Sequence, residues 1–271
     1  MPYNMKIYRA VQQPIERNAL RQKLGVAYFT LKKHAQWAFG GMKFGKISDA
    51  RLGHEHFAHQ TPLLRHLKGV DIRLEQNKIT NLHIAAAKMH GVIINPGEVL
   101  SFWRLIGKPT RRKGYLNGVI LRRGAFGEGL GGGLCHLSGM LYWVTLHTPL
   151  TVAERHRHGY DTTPDKLFGS DATCFYNYKD LMIKNDTGQP FQLMLEVGEN
   201  HLRVAWMSDA PPDFTYELYQ KEHLVHKEDW GGYTRHNHLH RRAFDLDGAL
   251  VGDEFVAENH AIMMYPPEED A

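Results

Sequence analysis

The spacing of apolar side chains predicts helices in the first half of the chain. Between residues 14 and 39, apolar side chains recur three or four positions apart, as in Leu20 and Leu24, and a glycine pair ends the run. Residues 75–90 repeat this spacing and stop at a glycine. A third apolar stretch, residues 134–147, follows three glycines and ends before a proline. We therefore expect three helices, the last of which begins directly after a glycine-rich loop.

The second half of the chain shows the pattern of β-strands. Short apolar runs alternate there with turn residues, and two such runs occur earlier. The predicted strands are residues 99–103, 115–121, 174–178, 181–184, 191–197, 201–207, 214–224, 233–244 and 251–262. The fold class predicted is α+β, with a helical N-terminal half that packs on a mainly antiparallel sheet from the C-terminal half. We expect residues 1–53 to form a helical extension and residues 54–271 to form the main domain, with its strands toward the C-terminus.

Charge and composition exclude some functions. The 271 residues carry 33 Lys and Arg against 29 Asp and Glu, a formal charge of +4, without the clustered basic footprint of a nucleic-acid binder. The N-terminal residues lack the apolar core of a secretory signal, and no apolar run approaches the ~20 residues of a membrane span. We therefore expect a cytoplasmic protein without nucleic-acid partners.

The first helix leaves two interpretations open. Its polar face carries basic side chains, which suit either a solvated surface with the apolar face in the core, or peripheral contact with a membrane. These residues are Arg17, Arg21, Lys23, Lys32 and Lys33.

One segment has the features of a catalytic site. Cys135 follows Gly131, Gly132 and Gly133, in the first turn of the third predicted helix. The positive end of a helix can lower a thiol pKa from about 8.5 to between roughly 3.5 and 7.5. Backbone N–H groups at the same end can hold a developing oxyanion. The pattern therefore indicates a cysteine nucleophile, although a free cysteine can equally be a small buried apolar residue.

A cysteine nucleophile needs a base, which histidine supplies at neutral pH. His156 and His158 follow the helix closely, and a helix that reverses into a strand would return them to its N-terminal end. Asp161 or Asp171 could orient the base, as the third residue of a triad does. Cys174, in an apolar strand-like run, is expected in the core.

Two histidine-rich segments have spacings that metal ligands use. These are His54, His56 and His59, and His236, His238 and His240. Since no cysteine pair accompanies them, we expect neither a physiological metal nor another cofactor.

Several short motifs resemble those of a known family. They are Asn77-Lys78, Asn81-Leu82, Ala85-Ala86, Asn95-Pro96-Gly97-Glu98, Ser101-Phe102, Gly114-Tyr115, Gly131-Gly132-Gly133-Leu134-Cys135, Glu154-Arg155 with His158, Asp171-Ala172-Thr173, Glu258-Asn259-His260-Ala261 and Tyr265-Pro266. Over roughly residues 54–266, these blocks resemble the VanW family.

The resemblance implies a role at the bacterial cell wall. The family takes its name from an accessory protein of B-type vancomycin-resistance operons. Some extracytoplasmic members are regarded as cysteine-dependent L,D-transpeptidases that form cross-links in peptidoglycan, and their nucleophile corresponds to Cys135. We expect His158 to be the base, with Asp171 and His136 as further catalytic residues. The residues expected to contact substrate are Gly131, Gly132, Gly133, Ser138, Arg155 and Tyr115.

The chain departs from the family pattern at three positions. His136 replaces a glutamine that usually follows the cysteine, Gly139 replaces a serine or threonine, and Gly159 replaces a serine. Two functions therefore stay open. One is an acyltransferase or hydrolase that acts on peptidoglycan stem peptides or their precursors. The other is a non-catalytic accessory protein that binds a cell-wall precursor, in which basic residues hold carboxylate or phosphate. These are Arg111, Arg112, Lys113, Arg122 and Arg123.

Overall fold

A computed structural model describes residues 7–11, 15, 17–64, 70–122, 124–162, 164 and 167–267. The chain divides into two compact units. The larger unit comprises Glu16–His156 and Ala172–Pro212. The smaller unit comprises Met1–Ile15, Arg157–Asp171 and Asp213–Ala271. The start of the first predicted helix, at Pro14, lies outside the described residues.

The larger unit contains the α-helices of the described chain. They are α1 (Ala19–Phe39), α2 (Ile72–Ala86), α3 (Phe102–Ile106) and α4 (Leu134–Leu146). The caps follow from the sequence, since Asn18, Asp71 and Ser101 each accept a hydrogen bond from an amide in the first turn of the helix that follows. None of the described helices is long and apolar enough to cross a membrane.

Two sheets and a hairpin complete the larger unit. Its strands are β1 (Lys43–Phe44), β2 (Lys46–Ile47), β3 (His54–Pro62), β4 (Val92–Ile94), β5 (Glu98–Ser101), β6 (Asn117–Arg122), β7 (Ala125–Leu130), β8 (Thr151–Glu154), β10 (Met182–Lys184), β11 (Phe191–Val197) and β12 (His201–Ser208). The sheets have the orders β1-β5-β10-β8 and β2-β4-β11-β12-β3, and β6 pairs with β7. All these pairs are antiparallel except β1 with β5.

The smaller unit is a sheet of long strands. Its strands are β9 (Tyr160–Asp161), β13 (Thr215–Lys227), β14 (Tyr233–Phe244) and β15 (Leu250–Met263), in the order β13-β14-β15-β9. The strands from β13 to β15 form an antiparallel meander, and β9 pairs with β15 in parallel.

Helix α4 forms part of the core of the larger unit. It is apolar around most of its circumference, which is typical of a buried helix. It contacts α2, β3, β8 and β12. On β12, the indole N–H of Trp206 donates a 3.0 Å hydrogen bond to the hydroxyl of Thr145. Burial on several sides fixes α4, and therefore fixes the position of its N-terminal turn.

The predicted α+β class and the mainly antiparallel pairing are confirmed. The first half of the chain, however, contains both helices and strands rather than helices alone, since β1 to β7 lie there.

Two predicted strands were wrong in detail. Phe102 and Trp103 belong to α3, because Ser101 caps a helix at this point. Residues 174–178 form a turn that an isolated bridge between Phe175 and Lys179 closes. The division at residue 53 stays a prediction.

Candidate functional site

The glycine-rich loop is shaped by close backbone contacts. Gly131 and Gly133 have positive φ angles of 74° and 95°, which favour glycine. At Gly132, a Cβ atom would lie 2.2 Å from the carbonyl oxygen of Gly118 on β6. At Gly133, a Cβ atom would lie 2.1 Å from the side chain of Lys78. The glycine triplet therefore allows β6 and α2 to approach the start of α4.

Asn81 of α2 fastens this loop. Its side-chain amide donates to the carbonyl oxygens of Gly132, at 2.9 Å, and Leu116, at 3.0 Å. Its side-chain oxygen accepts from the amide of Leu116 at 2.9 Å. Asn81 is fully buried, and its side chain satisfies the hydrogen-bonding needs of three backbone groups, the carbonyl oxygens of Gly132 and Leu116 and the amide of Leu116. Sequence reasoning gave Asn81 no role, although it lies in a family motif.

Cys135 lies in the first turn of α4, as the sequence predicted, and its side chain is half-buried. Its sulfur lies 3.4 Å from the hydroxyl oxygen of Thr173, and 3.7 Å from both the sulfur and the carbonyl oxygen of Cys174. The amides of Leu134 and His136 donate to the carbonyls of Gly131 and Gly133. These two amides are therefore not the unpaired oxyanion donors that the sequence analysis expected.

Cys174 is buried, as predicted, but it lies beside the candidate nucleophile. Burial raises the pKa of the Cys174 thiol well above its usual value, and the hydrogen bond with Cys135 adds to this effect. Cys174 is therefore a neutral thiol at physiological pH. A neutral S–H group can donate to a thiolate at Cys135, which favours the ionised nucleophile.

His156 is connected to the start of α4 through residues 172–174, whereas the return of His158 to this point stays a prediction. The amide of Thr173 donates a 2.7 Å hydrogen bond to the carbonyl oxygen of His156. Ser138, one turn into α4, donates to the carbonyl oxygen of Ala172 at 2.8 Å. Residues 172–174 are thereby held between α4 and His156.

Each of the two candidate bases has a carboxylate partner. In the larger unit, Nε2 of His156 lies 3.1 Å from Glu154, which also accepts from the buried ammonium of Lys33 on α1. Although burial acts to raise the pKa of Glu154, the hydrogen bonds from His156 and Lys33 outweigh it, and the pKa lies below its usual value. In the smaller unit, Nδ1 of His158 lies 2.7 Å from the carboxylate of Asp171.

The remaining predicted residues have structural contacts. Nε2 of His136 lies 2.7 Å from the hydroxyl of Thr61 on β3. The guanidinium of Arg155 lies 4.7 Å from the ring centre of Tyr142. Ser138 and Tyr115 are completely buried, and burial raises the pKa of Tyr115 to about 12. Substrate contact at these last two positions would require the interior to open, and it stays a prediction.

The structure describes the surroundings of the two histidine-rich segments. Within the described ranges, no three metal-ligating side chains come together at one point. The three histidines of β14 have different partners, which are His260 for His236, Glu222 for His238 and Asp253 for His240.

The basic residues predicted to hold carboxylate or phosphate lie on the surface where the structure describes them. Arg111–Lys113 form an exposed turn and Arg122 is exposed, whereas Arg123 lies outside the described residues.

Asp180 is a buried carboxylate near this region that sequence reasoning missed. It accepts hydrogen bonds from the hydroxyl of Ser101, at 2.6 Å, and from the amide of Trp103, at 3.0 Å. Burial raises its pKa to about 6, which the hydrogen bonds from Ser101 and Trp103 partly oppose. The side chain links β5 and α3 to the segment that precedes β10.

Asp180→Asn should change how stability depends on pH. Because the folded pKa lies above the unfolded one, Asp180 stabilises the fold at low pH and loses this contribution as the pH rises through the folded pKa. Between acid and neutral pH, we therefore expect the wild type to lose up to about 3 kcal/mol of its free energy of unfolding relative to D180N. Urea titrations across this range measure it, with D247N at an exposed turn as control. A difference that is constant with pH would contradict the assignment.

Comparison with known proteins agrees with the motifs. A family model described as "VanW like protein" matches residues 77–207. Vancomycin B-type resistance protein VanW of Enterococcus faecalis (strain ATCC 700802 / V583) is 28% identical over 242 residues, 85% of this chain and 88% of the relative. Uncharacterized protein YoaR of Bacillus subtilis (strain 168) is 31% identical over 110 residues, 41% of this chain and 36% of YoaR. No solved structure is significantly similar to the chain.

Proposed function

Because this chain belongs to the VanW family, we propose that it is a cysteine-dependent acyltransferase of the L,D-transpeptidase type. Its substrates would be peptidoglycan stem peptides or their precursors. The relative from Enterococcus faecalis is named for B-type vancomycin resistance, and we extend a link with glycopeptide resistance to this chain. The cytoplasmic location stays a prediction, which cell fractionation tests.

One observation carries the proposal. The thiol of Cys135 is half-buried in the first turn of a helix whose body is fixed in the core. A hydroxyl lies 3.4 Å from its sulfur and the sulfur of a buried thiol lies 3.7 Å away. A helix N-terminus, and O–H or S–H groups that donate to the sulfur, favour the thiolate, which is the nucleophilic form of cysteine. The carbonyl oxygen of Cys174, 3.7 Å away, accepts from the protonated thiol instead. This arrangement supports nucleophilic catalysis rather than a purely structural cysteine.

The reaction would proceed through a thioester. A histidine takes the proton of the Cys135 thiol, and the thiolate attacks the carbonyl carbon of a stem-peptide amide. The C–N bond breaks, and the leaving amine takes the proton from the histidine. A second amine then attacks the thioester and forms the cross-link, or water attacks and gives the hydrolysed peptide. Either route returns the proton to the thiol.

We assign the base to His158, the histidine of the family motif. Its contact with Asp171 supports this role, since a carboxylate fixes the tautomer of a catalytic imidazole and stabilises its protonated form. His156 has an equivalent partner in Glu154 and is the second candidate. The matched variants H156Q and H158Q distinguish the two, because each keeps an amide that can bond to the neighbouring carboxylate.

The test uses the whole chain and a synthetic stem tetrapeptide with an acceptor amine. We expect intact-mass spectrometry to detect an acyl adduct on Cys135 in the wild type, and neither adduct nor product in C135A. Loss of the base should lower the rate by about 10²–10⁴-fold, and we expect this for H158Q and not for H156Q. Turnover that survives in C135A would contradict the proposal. If the wild type shows no turnover and C135S binds the peptide equally well, the chain is a non-catalytic accessory protein instead.

A further inference from the structure

Helix α1 exposes a continuous apolar stripe. Along its 21 residues, Leu20, Leu24, Tyr28 and Leu31 are spaced four, four and three positions apart, which places them on one face. Their exposed fractions lie between 61% and 69%. Phe39, at the end of the same stripe, is 88% exposed. Large apolar side chains that are exposed together on one helix face indicate an interaction surface.

The helix is anchored to the larger unit by a different face. Lys33 and Trp37, four positions apart, are its buried side chains in the described chain. Lys33 bonds to Glu154, and the carbonyl oxygen of Thr30 accepts from the side chain of Asn177 at 3.4 Å. At 3.6 residues per turn, Lys33 and Trp37 lie on the side of the helix away from the leucine stripe. The contacts that hold α1 in place therefore leave the stripe uncovered.

The charges around the stripe are positive. Residues 17–48 contain seven lysines and arginines and no aspartate or glutamate. On the helical projection, Arg21 and Lys32 lie along one border of the stripe and Lys23 lies along the other, and all three are exposed. An apolar face bordered by basic side chains is typical of helices that lie in the surface of an anionic bilayer, with the cations at the level of the lipid phosphates.

We propose that α1 binds peripherally to anionic lipid surfaces, with its leucine stripe in the outer acyl region and its basic borders at the headgroups. The stripe buries apolar area, which supplies affinity, and the cations supply the preference for anionic lipid. A helix of this length lies about 30 Å along the surface, in the interfacial plane. This proposal does not depend on the chemistry of Cys135, and it gives the chain access to lipid-linked substrates.

The test is co-sedimentation of the full chain with vesicles of phosphatidylcholine, alone or with about one third phosphatidylglycerol. We expect the wild type to prefer the anionic vesicles, less so at high salt. L24E/L31E should bind at least about 100-fold more weakly, because two leucines that entered the bilayer are replaced by anions. R21E/K32E should lose the preference for phosphatidylglycerol.

The matched control is L246E, which places the same charge at a leucine that is 75% exposed in the turn between β14 and β15. It should bind like the wild type, as should C135S, and equal thermal melts show that the variants fold. The proposal is overturned if the wild type does not sediment with anionic vesicles or if L24E/L31E binds like L246E. It is also overturned if α1 instead joins two copies, seen as a dimer that L24E/L31E dissociates without any vesicle binding.

Discussion

Replacing Gly132 with alanine is expected to lower the free energy of unfolding by about 3 kcal/mol, because the new methyl group has no room. Its Cβ would lie 2.2 Å from the backbone of Gly118 on β6, so the loop and the hairpin would have to separate. Separation would also strain the hydrogen bond from Asn81 to the carbonyl of Gly132. The damage would therefore reach the first turn of α4, which carries Cys135.

Gly127→Ala is the matched control for this experiment. Gly127 lies on β7 of the same hairpin, and a Cβ there meets nothing within 4 Å. We expect G127A to change the free energy of unfolding by less than about 0.5 kcal/mol. Urea unfolding followed by circular dichroism measures both variants. Equal stabilities for G132A and G127A would show that the loop does not need glycine to pack against β6.

Strong local patterns predicted much of the fold. The helix expected at residues 134–147 is α4, and the strands expected at residues 191–197 and 233–244 match β11 and β14 residue for residue. In contrast, β3 was missed. Its sequence, HEHFAHQTP, lacks the apolar alternation of a half-buried strand, and pairing with β12 forms it. Tertiary contacts therefore determine the elements whose own sequence carries a weak signal.

The same distinction applies to the candidate site. Cys135 was predicted because glycines and a helix start are adjacent in the sequence. For the base and its carboxylate partner, the sequence left two histidines and two aspartates open, and the structure pairs His158 with Asp171. The contact of Cys135 with Thr173 joins residues 38 positions apart, and that of Lys33 with Glu154 joins residues 121 positions apart. Such pairs leave no local pattern in one sequence. Thr173 does lie in a family motif, which is the signal that could have identified it.

The two cysteines should differ strongly in how fast their thiols are alkylated. Cys135 is partly accessible, and both the helix N-terminus and the neighbouring S–H group favour its thiolate. Cys174 is buried, and burial holds its pKa well above the usual value, so it stays protonated. In the folded protein we therefore expect one thiol that alkylates readily and one that does not.

Alkylation with iodoacetamide, followed site by site with mass spectrometry, tests the central claim most directly. At about pH 6.5 we expect Cys135 of the wild type to react at least about tenfold faster than the thiol of a short unstructured peptide. In C135S, we expect Cys174 to remain unlabelled until urea unfolds the chain. A rate for Cys135 at or below that of the peptide, or labelling of Cys174 at a comparable rate in the folded protein, would contradict the assignment of Cys135 as an activated nucleophile.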